Sequence, residues 1–497
     1  MTLRVLTSLL FTLAGVVGLP TAAHGRERGG AVRISTEPGL FPDFAPGVRN
    51  YVTRCGADGR VRVAVAASRR VRVSVDGEPA RTGSFSATVS VTAGQGFHVR
   101  VADPRRRVMR YFMRCLPLDF PAFTAKRSRR PQAQWYIVAP FFPTSFGPAP
   151  AGTSLKYVGI FDTNGVPVWW YRAATQALDA KLLSNGNIAW LQFNPGGLGE
   201  GSAEEHRLDG STVRTLSTAG SGTDSHEIQL LRNGNYLLAR YYVRSGVDLT
   251  GCGGPPDGSI EDNELQEVSP GGSVVWSWNA SHHIPVSEVT QRWRFECSDH
   301  RPADVYHFNS AEADGRGLVL SFRHLDAVVR INRHTGAIDW KLGGTLRPES
   351  LRPIRDPELA AGGFAGQHDA RVLRDGTLTV HDNGTFASRP PRAVRYRIDR
   401  RAKTATLLED VRDAAAPTSI CCGSARRLAG GNWATAWGSQ PFVSELTPAG
   451  NPVFRLTFTQ NLFSYRAEPL PFGRLSAATL RRAMESRYPR SRAHAAG

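Results

Sequence analysis

Beyond its opening segment, this 497-residue chain contains no apolar run near the roughly 18 residues a membrane-spanning helix needs. Its six cysteines include no C-x-x-C pair and no regular cysteine–histidine spacing, which argues against a zinc site. Acidic residues are scarce, 43 against 61 lysines and arginines, and the formal net charge is +18. The arginines are nonetheless scattered. With no basic helix, no RRM-like aromatic motif and no finger, nucleic acid is not an expected partner. The excess positive charge suits either a solvated surface or a mouth for an anionic ligand. A 41% hydrophobic content against 21% charged residues excludes a disordered chain.

What is present points to short strands and tight turns. Fifty glycines and 32 prolines favour β architecture over helix bundles. Arg4, the apolar stretch from Leu9 to Leu19 and the small residues Ala22, Ala23 and Gly25 read as a secretory signal over residues 1–25. An exported protein without stable membrane insertion is therefore expected, in the periplasm, on the cell surface or outside the cell. Six cysteines fit such an oxidising compartment, although six allow about fifteen connectivities and the pairing stays open. Residues 26–118 alternate apolar and polar positions along Val61–Ala67, Val71–Val75, Phe85–Val91 and Phe97–Val101, which predicts a small β-sandwich. Residues 119–134 read as a basic, proline-containing linker, and 474–497 as a basic tail, either a short helix or disordered.

From about 135 to 473 the sequence repeats. One half-unit is a strand, an Asn-Gly or Asp-Gly turn and a second strand, as in Lys181-Leu-Leu-Ser-Asn-Gly-Asn-Ile188 and Gln229-Leu-Leu-Arg-Asn-Gly-Asn-Tyr236. Weaker copies run from Arg371 to Leu378 and from Arg427 to Trp433. The other half-unit is a turn followed by a strand, three of whose copies end on Trp169, Trp276 and Trp340. Five full units, starting near 179, 226, 307, 368 and 423, and an opening half at 154–172 predict a six-bladed β-propeller. Its last blade is expected to close with strands from both ends of the array.

Three unit starts carry histidine: Ser225-His226-Glu227, Tyr306-His307-Phe308-Asn309 and Gln367-His368-Asp369. Innermost strands line a propeller's channel, so equivalent positions in successive blades converge on one mouth. A histidine alone is more often structural. Three in phase with the blades predict a joint site. Arg323, at the far end of the strand after His307, is expected to return to the same mouth and hold a sulfate, phosphate or carboxylate. His206, His282, His283, His300, His334 and His381 lack that phase and read as structural or surface residues, and the tryptophans read as blade core. Metal is disfavoured, since no carboxylate accompanies the histidines at a regular ligand spacing and Arg323 would repel a cation.

At these residues the sequence resembles the bacterial arylsulfotransferase (arylsulfate sulfotransferase) family. The matching elements are Ser225-His-Glu-Ile…Asn-Gly-Asn235, His307-Phe-Asn-Ser310, Ser321-Phe-Arg-His through Trp340, and Gly366-Gln-His-Asp…His-Asp-Asn-Gly384. The resemblance implies a six-bladed enzyme that moves a sulfuryl group from a phenolic sulfate ester to a phenol, with neither a nucleotide donor nor another cofactor. It further implies that His368 is transiently sulfated, that His226, His307 and Arg323 share the active site, and that Asn309 contacts substrate. A vicinal Cys421–Cys422 pair stands where the resemblance implies a spaced disulfide. A non-catalytic propeller binding an anionic ligand or polymer, and a sulfatase-like hydrolase, are the alternatives; a homodimer stays open.

Overall fold

The computed structural model describes residues 32–490 apart from 57, 106, 143–150, 194–200, 221, 299 and 300. The expected signal, residues 1–25, lies outside the described residues. Among the described residues the regular structure is nearly all strand, in eight sheets, with a few short helices.

Six of these sheets are propeller blades, five of them built on four consecutive antiparallel strands and one closed with strands from both ends of the array. From the innermost strand outward, blade 2 runs Gln176–Leu182, Ile188–Phe193, Ala203–His206 and Thr212–Leu216. Blade 3 begins with Thr223–Leu230, blade 4 with Phe308–Asp314, blade 5 with His368–Val372 and blade 6 with Ser424–Arg427. Blade 1 closes the ring. Its innermost strand, Phe463–Pro471, comes from the far end of the array and pairs with Ala133–Phe141 from the near end. That closure leaves few sheet edges exposed.

The asparagine turns explain why the repeats fold as they do. Gly186 and Gly234 take φ of +88° and +84°, conformations open to glycine in a tight hairpin. The flanking asparagines reach across to the third strand. Asn233 and Asn235 both donate to Glu267 Oε1, at 2.7 and 2.5 Å, and Asn185 and Asn187 do the same to Glu205. Each turn thereby fixes the register of its own blade. Trp169 and Trp340 are buried between blades, as blade core, whereas Trp276 is only partly buried and donates its indole N–H to the Arg333 carbonyl.

Residues 32–116 form the sandwich, a three-stranded sheet facing a five-stranded one. Arg60–Ala66 shows why: its side chains alternate strictly between solvent and core. Strands Asn50–Arg54 and Val108–Leu116 lie parallel, with Cys55 and Cys115 joined by a disulfide at their ends. A second disulfide joins Cys252 to Cys297, while Cys421 and Cys422 are both free.

At the edges of the propeller one expectation changes and one open alternative is decided. The segment 119–134 is more than a linker: Phe123–Arg127 pairs antiparallel with Pro452–Phe458 as a fifth strand of blade 6. Its partner lies more than 300 residues away, so no local pattern announces it. In the basic tail, Ala477–Arg487 is a helix capped by the Ser476 hydroxyl, which accepts the Thr479 amide. Leu480, Ala483 and Met484 are buried on its inner face. Arg481 and Arg487 lie over the rings of Phe112 and Tyr171, tying the helix to the sandwich and to blade 1.

Candidate active site

A repeated defect in the innermost strands creates the site. Register shifts interrupt them at Leu178–Lys181, Thr223–Ile228, Phe308–Ser310, His368–Arg371 and Ser464–Ala467. Such bulges turn two consecutive side chains inward, where a regular strand would turn one. Asp179 and Asp369 adopt φ of +50° and +57° at these points, local strain of the kind that gathers at functional sites.

The second residue of each pair links neighbouring blades. The amides of Ile228, Ala311, Ala370, Ala425 and Ala467 donate to the side chains of Asp179, Glu227, Ser310, Asp369 and Ser424 respectively. This belt defines equivalent positions around the channel. One residue earlier stand Leu178, His226, Asn309, His368, Gly423 and Tyr465, the tier that faces the mouth. His226 and His368 are in phase, as expected. His307 is not: its phase position belongs to Asn309, and His307 reaches the mouth from two residues upstream through a φ of +49°.

The structure brings the histidines and Arg323 together. The ring of His307 lies 5.2 Å from His226, 4.6 Å from His324 and 6.4 Å from His368, centroid to centroid. Arg323 follows the second strand of blade 4, Gly317–Phe322, and its amide donates to the His307 carbonyl. Its guanidinium donates to His324 Nε2 at 2.8 Å and to the Ile420 carbonyl at 2.8 Å, and lies 4.1 Å over the Trp293 ring. Asn309 is fully buried: its amide nitrogen donates to the Gln367 carbonyl while its Oδ1 has no partner.

The three histidines share one tautomer for two different reasons. His226 Nδ1 contacts Asp224 Oδ1 at 2.6 Å, and His307 Nδ1 contacts Asp304 Oδ2. His368 Nδ1 lies 3.0 Å from the Gly366 carbonyl, which can only accept. Each proton therefore sits on Nδ1 and leaves Nε2 with its lone pair. A carboxylate behind a ring stabilises the imidazolium that forms when the ring takes a proton. A neutral carbonyl does so far less. Burial, then the charges of Arg323, His307 and His226, hold His368 well below the usual histidine range. His307 is also held low by burial, partly offset by Asp304. The geometry thus separates a neutral, nucleophile-like His368 from two carboxylate-backed rings.

Several residues here lay outside the sequence reading. Asp224 and Asp304 stand two and three residues before the histidines they orient. Tyr465 supplies blade 1's share of the tier; it is buried, its ring lies 5.7 Å from His226 and 6.4 Å from His368, and its hydroxyl has no partner. Asn383 sits behind His368, with its Nδ2 3.0 Å from the ring's Nδ1 and 2.7 Å from the Gly366 carbonyl. His381 backs Asn383 from the neighbouring strand and stays neutral, its pKa lowered by burial to about 4. Gly423 has φ +96°, and a Cβ there would lie 2.4 Å from His381, so only glycine lets blade 6 pack this closely against the ring. The thiols of Cys421 and Cys422 are 2.7 Å apart in the adjoining loop, and burial pushes Cys422 up.

Asp304, His307 and His324 place one possible ligand atom each within 4.8 Å of one another. Their polar atoms are already engaged: His307 Nδ1 with the Asp304 carboxylate, His324 Nδ1 with the Asp304 carbonyl, and His324 Nε2 with Arg323. With a guanidinium in contact, the cluster is a hydrogen-bonded relay rather than a cation cage.

Fold and site together define a six-bladed propeller with a histidine–arginine centre at one mouth, a centre suited to an anionic substrate. The chain belongs to the Arylsulfotransferase (ASST) family, whose profile matches residues 194–459. That stretch carries His226, His307, Arg323 and His368 and makes this a sulfotransferase-family protein. No curated protein matches the sequence. Among solved structures, a Bacteroides caccae protein of unknown function is similar at 12% identity, covering 68% of this chain and 99% of its own, with a TM-score of 0.42. Myxococcus xanthus glutaminyl cyclase is similar at 15% identity over 52% of this chain and 92% of its own, with a TM-score of 0.24. At such scores these likenesses carry no argument.

Proposed function

We propose that this protein transfers a sulfuryl group from an aryl sulfate to a phenol in two steps through His368, without a nucleotide donor. His368 Nε2 attacks sulfur, the sulfur–oxygen bond to the aryl group breaks, and the aryl oxygen departs as phenolate, which takes its proton from water. The acceptor phenol then attacks sulfur, the nitrogen–sulfur bond breaks, and the bare Nε2 of a carboxylate-backed histidine takes the phenol's proton and later releases it to solvent. His226, paired with Asp224, is the closest fit for that exchange. Arg323 offsets charge on the peripheral oxygens, which a loose transition state leaves exposed, and His307 joins it only as the imidazolium that Asp304 stabilises. The unpartnered Oδ1 of Asn309 and hydroxyl of Tyr465 are spare polar atoms at the same place. The observation that carries the reading is His368 itself, 1% exposed, locked by a carbonyl into the tautomer with a bare Nε2.

Action outside the cytoplasm is part of the proposal, supported by the N-terminal signal pattern and by two disulfides. Among the described residues no helix is long and apolar enough to cross a membrane. The test is a chromogenic aryl sulfate with and without excess phenol. Chromophore release that requires phenol, with one SO3 group recovered on a peptide containing His368, is the expected result. Release at equal rates without phenol would instead make the protein a hydrolase, and no release under either condition a binding propeller.

A further inference from the structure

Soluble surfaces seldom expose large apolar side chains in a contiguous group. Here three stand at the catalytic mouth: Phe295, Phe386 and Ile420 are 51%, 70% and 45% exposed. They come from three separate segments of the propeller: Phe295 and Phe386 pack against Trp293, and Ile420 adjoins through its carbonyl, which accepts from Arg323. The Trp293 ring lies 6.1 Å from Phe295 and 5.5 Å from Phe386, and the two phenylalanines are 6.3 Å apart. On its other side Trp293 carries the Arg323 guanidinium at 4.1 Å and stacks on His324 at 4.4 Å. Trp293 itself is buried, 1% exposed, and stands behind the exposed phenylalanines as the support they share with the anion-binding arginine.

The loops that present these side chains are fastened to one another. Arg292 donates to the Thr385 carbonyl at 3.0 Å, and the Thr385 hydroxyl donates to the Ser419 carbonyl at 3.3 Å. Arg323 itself donates to the carbonyl of Ile420. Phe386 also holds a φ of +54°, a conformation that is strained for a bulky residue. A strained, exposed phenylalanine on a braced loop is poor economy for folding alone.

We propose that Phe295, Phe386 and Ile420, backed by the buried Trp293, form an aryl subsite that selects fused- or two-ring phenols and their sulfate esters over single-ring ones. The reading rests on the proposed sulfuryl transfer for its occupant: with sulfur held at Arg323, which donates to the Ile420 carbonyl, the outer ring of an extended aryl group is the part that meets this lip. Face and edge contacts to the two phenylalanines supply the preference.

Two measurements test it. With the wild-type protein, kcat/KM for 2-naphthol relative to phenol, under one donor, is expected to fall about tenfold in Phe295→Ala/Phe386→Ala. The ratio is expected to hold in Val275→Ala, which trims an exposed valine on the outer strand of blade 3. Separately, calorimetry on His368→Ala, which needs no turnover, is expected to show 2-naphthyl sulfate binding more tightly than phenyl sulfate. Adding Phe386→Gly should erase that difference. Because glycine tolerates the positive φ, the same change should leave the melting temperature level or higher, which a merely structural role would not allow. An unchanged naphthyl preference in both experiments overturns the subsite, and so does a Phe386→Gly effect on oligomeric state alone. If wild-type protein transfers to neither phenol while the calorimetric preference survives and depends on Phe386, sulfuryl transfer falls and the subsite stands.

Discussion

Adjacent residues on the same strands build two tiers of the channel with opposite character. The tier at the mouth is nearly free of ion pairs: Leu178, His226, Asn309, His368, Gly423 and Tyr465 include the orphaned Asn309 Oδ1 and Tyr465 hydroxyl. The tier one residue on is saturated with charge. Glu227 of blade 3 meets Arg371 of blade 5 at 2.6 Å, Lys181 of blade 2 at 2.8 Å and Arg466 of blade 1 at 3.1 Å. Asp369 meets Arg371 and Arg426, both at 2.9 Å, and Asp179 meets Arg466 at 2.5 Å. Burial raises the cost of every one of these charges, and three cations still hold Glu227 far below the usual carboxylate range. The lesson is a division of labour. One tier locks six blades into a ring and closes the channel floor, which frees the other to leave groups unsatisfied for substrate.

The largest effect expected from breaking this division is on chemistry alone. His368→Ala should lower transfer at least about 10⁴-fold, the scale of losing a nucleophile, with the melting temperature nearly unchanged. Steady-state assay beside thermal denaturation checks it; a variant that unfolds early would place His368 in the structural tier instead. One residue away the pattern should invert. Glu227→Gln leaves Arg371, Lys181 and Arg466 facing one another and should cost about 3–5 kcal/mol of stability, read by denaturant unfolding.

Smaller effects sharpen the boundary. Asp224→Asn removes the carboxylate behind His226 and should slow the acceptor half-reaction about 10²-fold, with little change in the burst of first phenol release. Tyr465→Phe deletes a buried hydroxyl that nothing satisfies. It should lower kcat several-fold while stability holds or rises by about 1 kcal/mol, since no hydrogen bond is lost. If stability falls instead, the hydroxyl has a structural partner and belongs with the charged tier.

The smallest effect is on pH dependence. His368 must be neutral to attack sulfur, and its environment depresses its pKa. Protonation therefore sets in only below the ordinary histidine value near 6.5, and the burst rate should stay level as pH falls from about 8 through 6.5. An acid limb centred at 6.5 in single-turnover kinetics would put a different histidine at sulfur.

Much of this was legible beforehand, and unevenly so. Blades declared themselves through Asn-Gly turns, because a positive φ restricts the residues that serve there. The belt that joins them was also present in the letters, as polar–apolar pairs at Asp179-Ala180, Glu227-Ile228, Ser310-Ala311, Asp369-Ala370 and Ser424-Ala425. Read as a pattern, these pairs would have placed Asn309 in phase, with His307 as the residue out of step. Asp224 and Asp304 were close enough in sequence to pair with their histidines, but many exposed aspartates lie as close to a histidine without touching it. Phe123–Arg127 and Tyr465 carried no local signal, since each takes its role from a strand on the far side of the array.

By itself, then, the sequence determined the blades, their number and the histidines that mark the mouth, because turn chemistry and strand periodicity act over a few residues. Only the tertiary structure decided which side chain does what. Bulges turned consecutive residues inward, ring closure brought Tyr465 opposite His226 and His368, and three loops assembled an aromatic lip over Arg323. Those relations depend on distances between blades, and no spacing along the chain encodes them.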